Sequence, residues 1–241
     1  EPWILQRADP YVYRHTDGSY YFTASVPAYD GIVLRRAGTL AELSGAEEVM
    51  VWKKHESGPM SYHIWAPEIH YLFGKWYIYF AGGEAEDIWK IRPYVLECSG
   101  DDPLTDEWVE LGKMKRAAED EFSFEAFSLD ATVFENKGEY YYVWAEKVGV
   151  GKMISNLYIA KMESGNQLKT VQVLLTTPDY DWERKGFWVN EGPAVIHHDG
   201  KMFLTYSASE TGVDYCVGML SIDEDADILD PRLWKKERYP V

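Results

Sequence analysis

The sequence predicts an all-β chain, a β-propeller of four-stranded blades, from three observations. One phrase recurs four times: DPYVYRHTDGSYYFTAS from Asp9, APEIHYLFGKWYIYFAG from Ala66, DATVFENKGEYYYVWAE from Asp130 and GPAVIHHDGKMFLTYSA from Gly192. Each copy alternates apolar and polar residues with a period of two and is rich in Tyr, Trp and Phe, the pattern of strands. Each also carries a polar turn ending in glycine. Those glycines, Gly18, Gly74, Gly138 and Gly200, are separated by 56, 64 and 62 residues. Self-similarity of this kind marks one supersecondary unit copied around an axis.

The elements follow in order within each copy. A first strand opens the phrase, and a hairpin turn with glycine at positive φ joins it to the second. Second strands are expected at 20–25, 76–81, 140–145 and 202–207, and third strands at 32–36, 94–98, 157–162 and 216–221. Weaker fourth strands fall near 49–53, 108–112 and 171–176, and the last starts at Trp234. The blades then span about 9–55, 66–113, 130–177 and 192–241 of one catalytic domain, 1–241. Long connections at 26–31, 82–92, 146–156 and 209–214 are expected to be loops on one rim, where function concentrates. A four-bladed ring is rare, so a fifth blade is expected to be missing and the domain to be incomplete at its C-terminal end.

Composition narrows the function classes. A net charge of −16, from 24 basic and 40 acidic residues, opposes nucleic-acid binding. No run of 18 apolar residues suits a membrane span. The chain has 10 Trp, 18 Tyr and 9 Phe, enough for the sheet interior and for a few exposed rings that stack on sugars. Cys98 and Cys216 lie in different copies and are expected to be two unpaired, buried thiols. This leaves the compartment open between secreted and cytoplasmic. The chain opens on Glu1 rather than Met, which allows for a removed upstream segment.

Several chemistries are set aside. His55-Glu56 begins an H-E-x-x-H pattern, but Pro59 takes the second histidine position. The acidic run 223–230 lacks the glycine and glutamate of a calcium loop and is expected to be a solvated turn. His197 and His198 are expected in a solvated turn, and Gly149 with Gly151 is a weak, isolated G-x-G.

What remains is acids and aromatics. Asp9 opens the first strand of copy one, Asp130 that of copy three and Glu191 that of copy four. Trp65 takes the equivalent place in copy two. A single acid at such a place serves equally well to cap a turn. Three at matched places point instead to glycoside hydrolysis, in which one carboxyl protonates the leaving oxygen and another activates water. A third carboxylate raises the acid's pKa.

At RADPYVY, HIWAPEIHYLFGKWYIYF, SLDATVF and NEGPAV the chain resembles glycoside hydrolase family 43, a family of five-bladed propellers, over essentially its whole length. The resemblance implies that Asp9 is the general base, Glu191 the general acid and Asp130 the residue that tunes and orients that acid. It also implies inversion at the anomeric carbon, with base and acid about 6.5–9.5 Å apart. Finer wording, in TASVPAYDGIVLRRA, SGPMSYHIWAPEIH, DIWKIRPYVLE and TPDYDWERKGFWVNEGPA, is similar to the family's exo-acting α-L-arabinofuranosidases of α-1,5-arabinan. β-Xylosidases and endo-arabinanases of the same family are the nearer alternatives, and a non-catalytic carbohydrate-binding propeller is the alternative of another class. Substrate contacts are expected from His63, Trp65, Glu68, Trp89, Arg92, Phe127, Ser128 and Asn190. No cofactor is expected for the chemistry and no metal ligand is assigned, although the family's propeller axis can hold a structural cation. The expected partner is a carbohydrate, arabinan side chains or arabino-oligosaccharides, with neither nucleic acid nor membrane.

Overall fold

The computed structural model describes residues 2–150 and 152–241. Strand takes up 55% of the chain and helix 3%, which sets the class as all-β. Copy one folds as β1 (Ala8–Arg14), β2 (Tyr20–Ser25), β3 (Gly31–Ala37) and β4 (Val49–Lys53). Copy two folds as β5 (Tyr62–Leu72), β6 (Lys75–Glu84), β7 (Asp87–Cys98) and β8 (Val109–Lys113). Copy three comprises β9 (Ser128–Asn136), β10 (Glu139–Val150) and β11 (Lys152–Ser164), with β12 (Gln167–Leu168) and β13 (Val173–Thr176) both on β11. Copy four comprises β14 (Trp188–His198), β15 (Lys201–Ala208), β16 (Cys216–Asp223) and β17 (Lys235–Lys236).

Each copy is an antiparallel meander in chain order. The last two copies join into one nine-stranded sheet, because Ile154 and Ser155 of β11 pair in parallel with Trp188 and Val189 of β14. The chain divides into two compact units. One runs through Met114 and includes Ser164–Asn166; the other is Lys115–Glu163 with Gln167–Val241.

The apolar pattern decides what each strand faces. Along β15 burial alternates: Met202, Leu204, Tyr206 and Ala208 point inward. β6 is different. Its residues from Trp76 to Gly83 are all buried, as in a central strand covered on both faces. In the first unit Tyr21, Ile32, Leu34, Ile69, Trp76 and Phe80 belong to one core.

Two of the four expected loops are strands. Residues 82–92 continue the β6–β7 ladder through Gly82↔Arg92 and Glu84↔Asp87. Residues 146–150 and 152–156 continue the β10–β11 ladder as far as Val150↔Lys152. In the first of these, glycine permits close backbone approach: a Cβ on Gly83 would lie 2.8 Å from the Ile88 carbonyl oxygen. Of the isolated glycine pair, Gly151 lies outside the described residues. The connections at 26–31 and 209–214 are irregular over most of their length, as expected.

The hairpin turns set the register of the repeat. Phe73-Gly74, Lys137-Gly138 and Asp199-Gly200 all have positive φ at both positions, the type I′ geometry that matches strand twist. Copy one has a longer turn, closed by His15 N–H donating to the Ser19 carbonyl between the pair Arg14↔Tyr20. Counting back from the glycine therefore misaligns copy one by a residue.

The backbone restores the alignment. Every first strand contains a two-residue bulge whose leading residue is left-handed: Asp9 (φ 49°), Ala66 (φ 45°), Asp130 (φ 52°) and Gly192 (φ 57°). Asp9 and Asp130 thus share one slot. Glu191 sits one position earlier, in the place that Trp65 takes in copy two, so the three acids are not strictly equivalent.

Smaller expectations are also corrected. His197 and His198 end β14 rather than occupy a turn, and His197 Nδ1 lies 2.9 Å from Glu224 Oε1. Cys98 is buried but Cys216 is only half-buried.

Gly218 tests the packing of the fourth meander. A Cβ there would lie 2.3 Å from Cζ of the buried Tyr206 ring. Gly218→Ala is expected to destabilise the protein by about 1–3 kcal/mol, read as a lower midpoint of thermal unfolding. An unchanged midpoint would mean that Tyr206 has room to move.

Candidate active site

The first unit presents Asp9 from its bulge. The Ser25 hydroxyl donates to Asp9 Oδ2 at 2.7 Å, and Ser25 Oγ accepts the Ala66 N–H at 2.8 Å. Ala8 and Ser25, paired across the ladder, line an open recess of about 470 Å³ that also touches Arg7, Pro27 and Tyr29. That volume is in the range of small-ligand sites.

An aromatic cluster is built in the same unit. His63 meets two indoles, with ring centroids 4.2 Å from Trp65 and 5.2 Å from Trp89, and the two indole centroids lie 6.4 Å apart, so the three rings form a triangle. Tyr62 meets His63 edge-on at 4.4 Å, and Tyr29 stands edge-on to Trp65 at 5.9 Å. Trp89 is 61% exposed and sits on the β7 end of the long hairpin, available for stacking. Three of the expected contact residues, His63, Trp65 and Trp89, are thus brought together. Arg92 lies farther along β7, and its Nη1 donates to the Ile91 carbonyl at 2.8 Å.

Glu68 has a different environment. Its Oε2 lies 2.8 Å from His70 Nε2, and His70 Nδ1 lies 3.4 Å from the Tyr11 hydroxyl. Burial, reinforced by the Glu68 charge, pushes the Tyr11 phenol well above its ordinary value. Glu68 therefore helps to hold the first strands of copies one and two.

The second unit assembles Asp130 and Glu191. Asp130 Oδ2 accepts the N–H of Gly192, the residue after Glu191, at 3.1 Å. The Tyr215 hydroxyl donates to Glu191 Oε1 at 2.8 Å, and Ser207 hydrogen-bonds the same phenol. Burial, then the Glu191 charge, raises the Tyr215 phenol far above its ordinary value. Lys147 Nζ sits 3.9 Å above the Phe127 ring. Burial lowers the Lys147 ammonium, and the Glu191 charge opposes that shift.

Phe127 therefore faces a cation within the site. Ser128 and Asn190 do not reach open space. Ser128 is fully buried, and its hydroxyl donates to the Ala126 carbonyl at 2.7 Å. Asn190 is fully buried too, with its Nδ2 donating to Glu183 Oε1 at 2.9 Å and its Oδ1 accepting from Thr176. Both hold strand starts rather than offer groups to a ligand.

Ser25, Tyr29, Lys147 and Tyr215 were missed from sequence. Tyr29 lies in one of the two irregular connections and Tyr215 directly follows the other, so position in a rim connection was the signal that could have found them. Lys147 falls within 146–156, expected as a rim connection, so the same signal marked it; nothing comparable marked Ser25. Among the described residues no group of three or more His, Cys, Asp or Glu side chains could hold a metal ion. No helix among them is long and apolar enough to cross a membrane.

Comparison with known proteins gives a consistent picture. The profile of glycosyl hydrolases family 43 matches residues 2–241. An extracellular exo-α-(1→5)-L-arabinofuranosidase of Streptomyces chartreusis is 48% identical over 240 residues, which is 100% of this chain and 71% of that protein. α-L-Arabinofuranosidase 43 of Humicola insolens is 46% identical over 99% of this chain, which spans only 48% of it. The crystal structure of an α-L-arabinofuranosidase from Lactobacillus brevis superposes with a TM-score of 0.90 at 52% identity, covering 100% of this chain and 75% of that one.

The aromatic cluster carries a pH signature. Burial holds the His63 imidazole below its ordinary value, and its Nε2 is buried without a hydrogen-bond partner among the described residues. The unfolded chain therefore binds the His63 proton more readily than the folded one. Stability from this residue is present above the unfolded value of about 6.5 and is lost as pH falls through the folded value. His63→Phe is expected to shrink the drop in unfolding midpoint between about pH 7.5 and pH 5. An equal drop in both proteins would place the acid sensitivity elsewhere.

Proposed function

The chain belongs to glycosyl hydrolases family 43, and from that premise we propose that it is an inverting, exo-acting α-L-arabinofuranosidase that releases terminal arabinofuranose from arabinan or arabino-oligosaccharides. The observation that carries the chemistry is the Asp130–Gly192 hydrogen bond, which ties one carboxylate to the peptide beside a second. The names of two relatives support the substrate, an exo-α-(1→5)-L-arabinofuranosidase 48% identical and an α-L-arabinofuranosidase 46% identical across the chain. The family's architecture supports reading the four meanders as four blades of a five-bladed propeller, with no fifth meander among the described residues. The extracellular Streptomyces relative supports action outside the cell.

In this reading the reaction is one displacement. Asp9 accepts a proton from water as the water oxygen attacks the anomeric carbon from the face opposite the leaving group. The glycosidic C–O bond breaks, and Glu191 gives its proton to the departing oxygen. Asp9 ends protonated and Glu191 ionised; exchange with solvent resets both. Asp130 supplies negative charge beside Glu191 that favours its protonated form. The His63–Trp65–Trp89 cluster offers apolar faces for the sugar, with Trp89 the ring for a second residue. Arg92 is kept as a hydroxyl contact. No resident metal is assigned a step.

Activity on p-nitrophenyl α-L-arabinofuranoside is expected to fall about 10²- to 10⁴-fold in Asp9→Ala and in Glu191→Ala. The aryl leaving group needs less protonation, so on it the Glu191 change is the milder of the two. Arabinose should be the first product from linear arabinan, and proton NMR of early product should show the inverted anomer. Full activity in both variants, or oligosaccharide products, would overturn the reading.

A further inference from the structure

The ladder partner of the residue just before each bulge is serine in copies one and four and alanine in copies two and three. Ala8 pairs with Ser25, Trp65 with Ala81, Leu129 with Ala145 and Glu191 with Ser207. Copies one and three both carry aspartate in the bulge, yet opposite it stand a serine and an alanine.

That single oxygen changes how each aspartate is held. In copy three Ala145 has no hydroxyl, and Asp130 Oδ2 takes the Gly192 N–H directly at 3.1 Å. In copy one the corresponding N–H, that of Ala66, stops at Ser25 Oγ, 2.8 Å away. The N–H arriving at Oγ directs the O–H away from it, and that O–H donates to Asp9 Oδ2 at 2.7 Å. One hydroxyl is thus interposed between the carboxylate and its neighbour's backbone. Ser25 is only 1% exposed, so its hydroxyl is not presented to a sugar.

We infer that Ser25 is a positioning residue for Asp9: its hydroxyl keeps the carboxylate off the Ala66 N–H and aims it at the attacking water. This rests on the assignment of Asp9 as the base. The pseudo-equivalent pair then shows what each arrangement suits. An aspartate bonded directly to the next copy's backbone serves as a fixed charge beside Glu191. An aspartate held at one remove by a hydroxyl keeps a direction of its own for proton transfer, whose rate depends steeply on geometry.

The test is a double-mutant cycle on the aryl arabinofuranoside, with Ser25→Ala, Asp9→Ala and the double variant. Ala81 and Ala145 occupy the same slot in other copies, so alanine suits this strand. Ser25→Ala is expected to lower kcat about 10- to 100-fold, the scale of a lost hydrogen bond to a charged group, with KM changed less than about twofold. In the Asp9→Ala background it should cost nothing further, because its only route to the reaction has gone. Ser25→Thr, which keeps the hydroxyl, should recover most of kcat. Should Ser25→Ala not fold, Ser25→Cys keeps the volume with a weak donor and carries the same cycle. Unchanged kcat in Ser25→Ala, or a loss that multiplies with that of Asp9→Ala, overturns the positioning role alone. Full activity in Asp9→Ala overturns the base assignment and this inference with it.

Discussion

The left-handed bulge at the head of each meander is the constraint on which the site depends. A non-glycine residue in this region costs roughly 1–2 kcal/mol, and three of the four slots accept that cost: Asp9, Ala66 and Asp130. Ladder pairs on both sides of the bulge hold it in place, as in Ala8↔Ser25 and Tyr11↔Thr23. The bulge breaks the strict alternation of the strand, so a side chain there belongs to neither face of the sheet. Aspartate tolerates the conformation better than most residues, since short polar side chains bond locally. Here the carboxylates bond instead to the Ser25 hydroxyl and the Gly192 N–H.

A second node steadies the strand that carries Glu191. Glu183 is fully buried, yet it accepts from Asn190 Nδ2, the Tyr206 hydroxyl and Lys236 Nζ at 2.8–2.9 Å, and from the Asp179 and Tyr180 N–H groups. A buried charge survives only with such complete pairing. Asn190 is both a member of this network and the neighbour of Glu191. Rigidity therefore passes from a fully bonded interior carboxylate to one that the proposed reaction requires to gain and lose a proton.

The turns and strand order were legible because they depend on local chemistry. Asp199-Gly200 and Lys137-Gly138 announce type I′ hairpins, and Met202, Leu204 and Tyr206 announce an alternating strand. The acids were legible as residues but not as a register. One extra residue in the first turn shifted Asp9 against its counterparts, and only the pairing Ala8↔Ser25 corrects it. Asn190 looked like a contact because it adjoins Glu191, but strand neighbours point to opposite faces; Ser128 stands two residues before Asp130, and the bulge at Asp130 breaks the alternation that would have put them on one face. Ser25 and Tyr215 lie 16 and 24 residues from the carboxylates they touch. No short-range pattern could have joined them.

The environment of Glu191 bears on where its proton must reside. Tyr215 donates to Oε1, and the Ser207 contact on the same phenol fixes its direction. An oxygen that accepts a hydrogen bond from a phenol is poorly placed to carry an acidic proton, so in the proposed reaction the transferable proton belongs on Oε2. Asp130 Oδ2 accepts the Gly192 N–H, 3.1 Å away, a bond that favours the charged form of a carboxylate. Lys147, stacked on Phe127, adds an opposing charge near Glu191, while burial holds its ammonium below its ordinary value. In the proposed reaction the two acids of the second unit thus differ in what bonds to them: a main-chain N–H for the one assigned to stay charged, a phenol for the one assigned to exchange its proton.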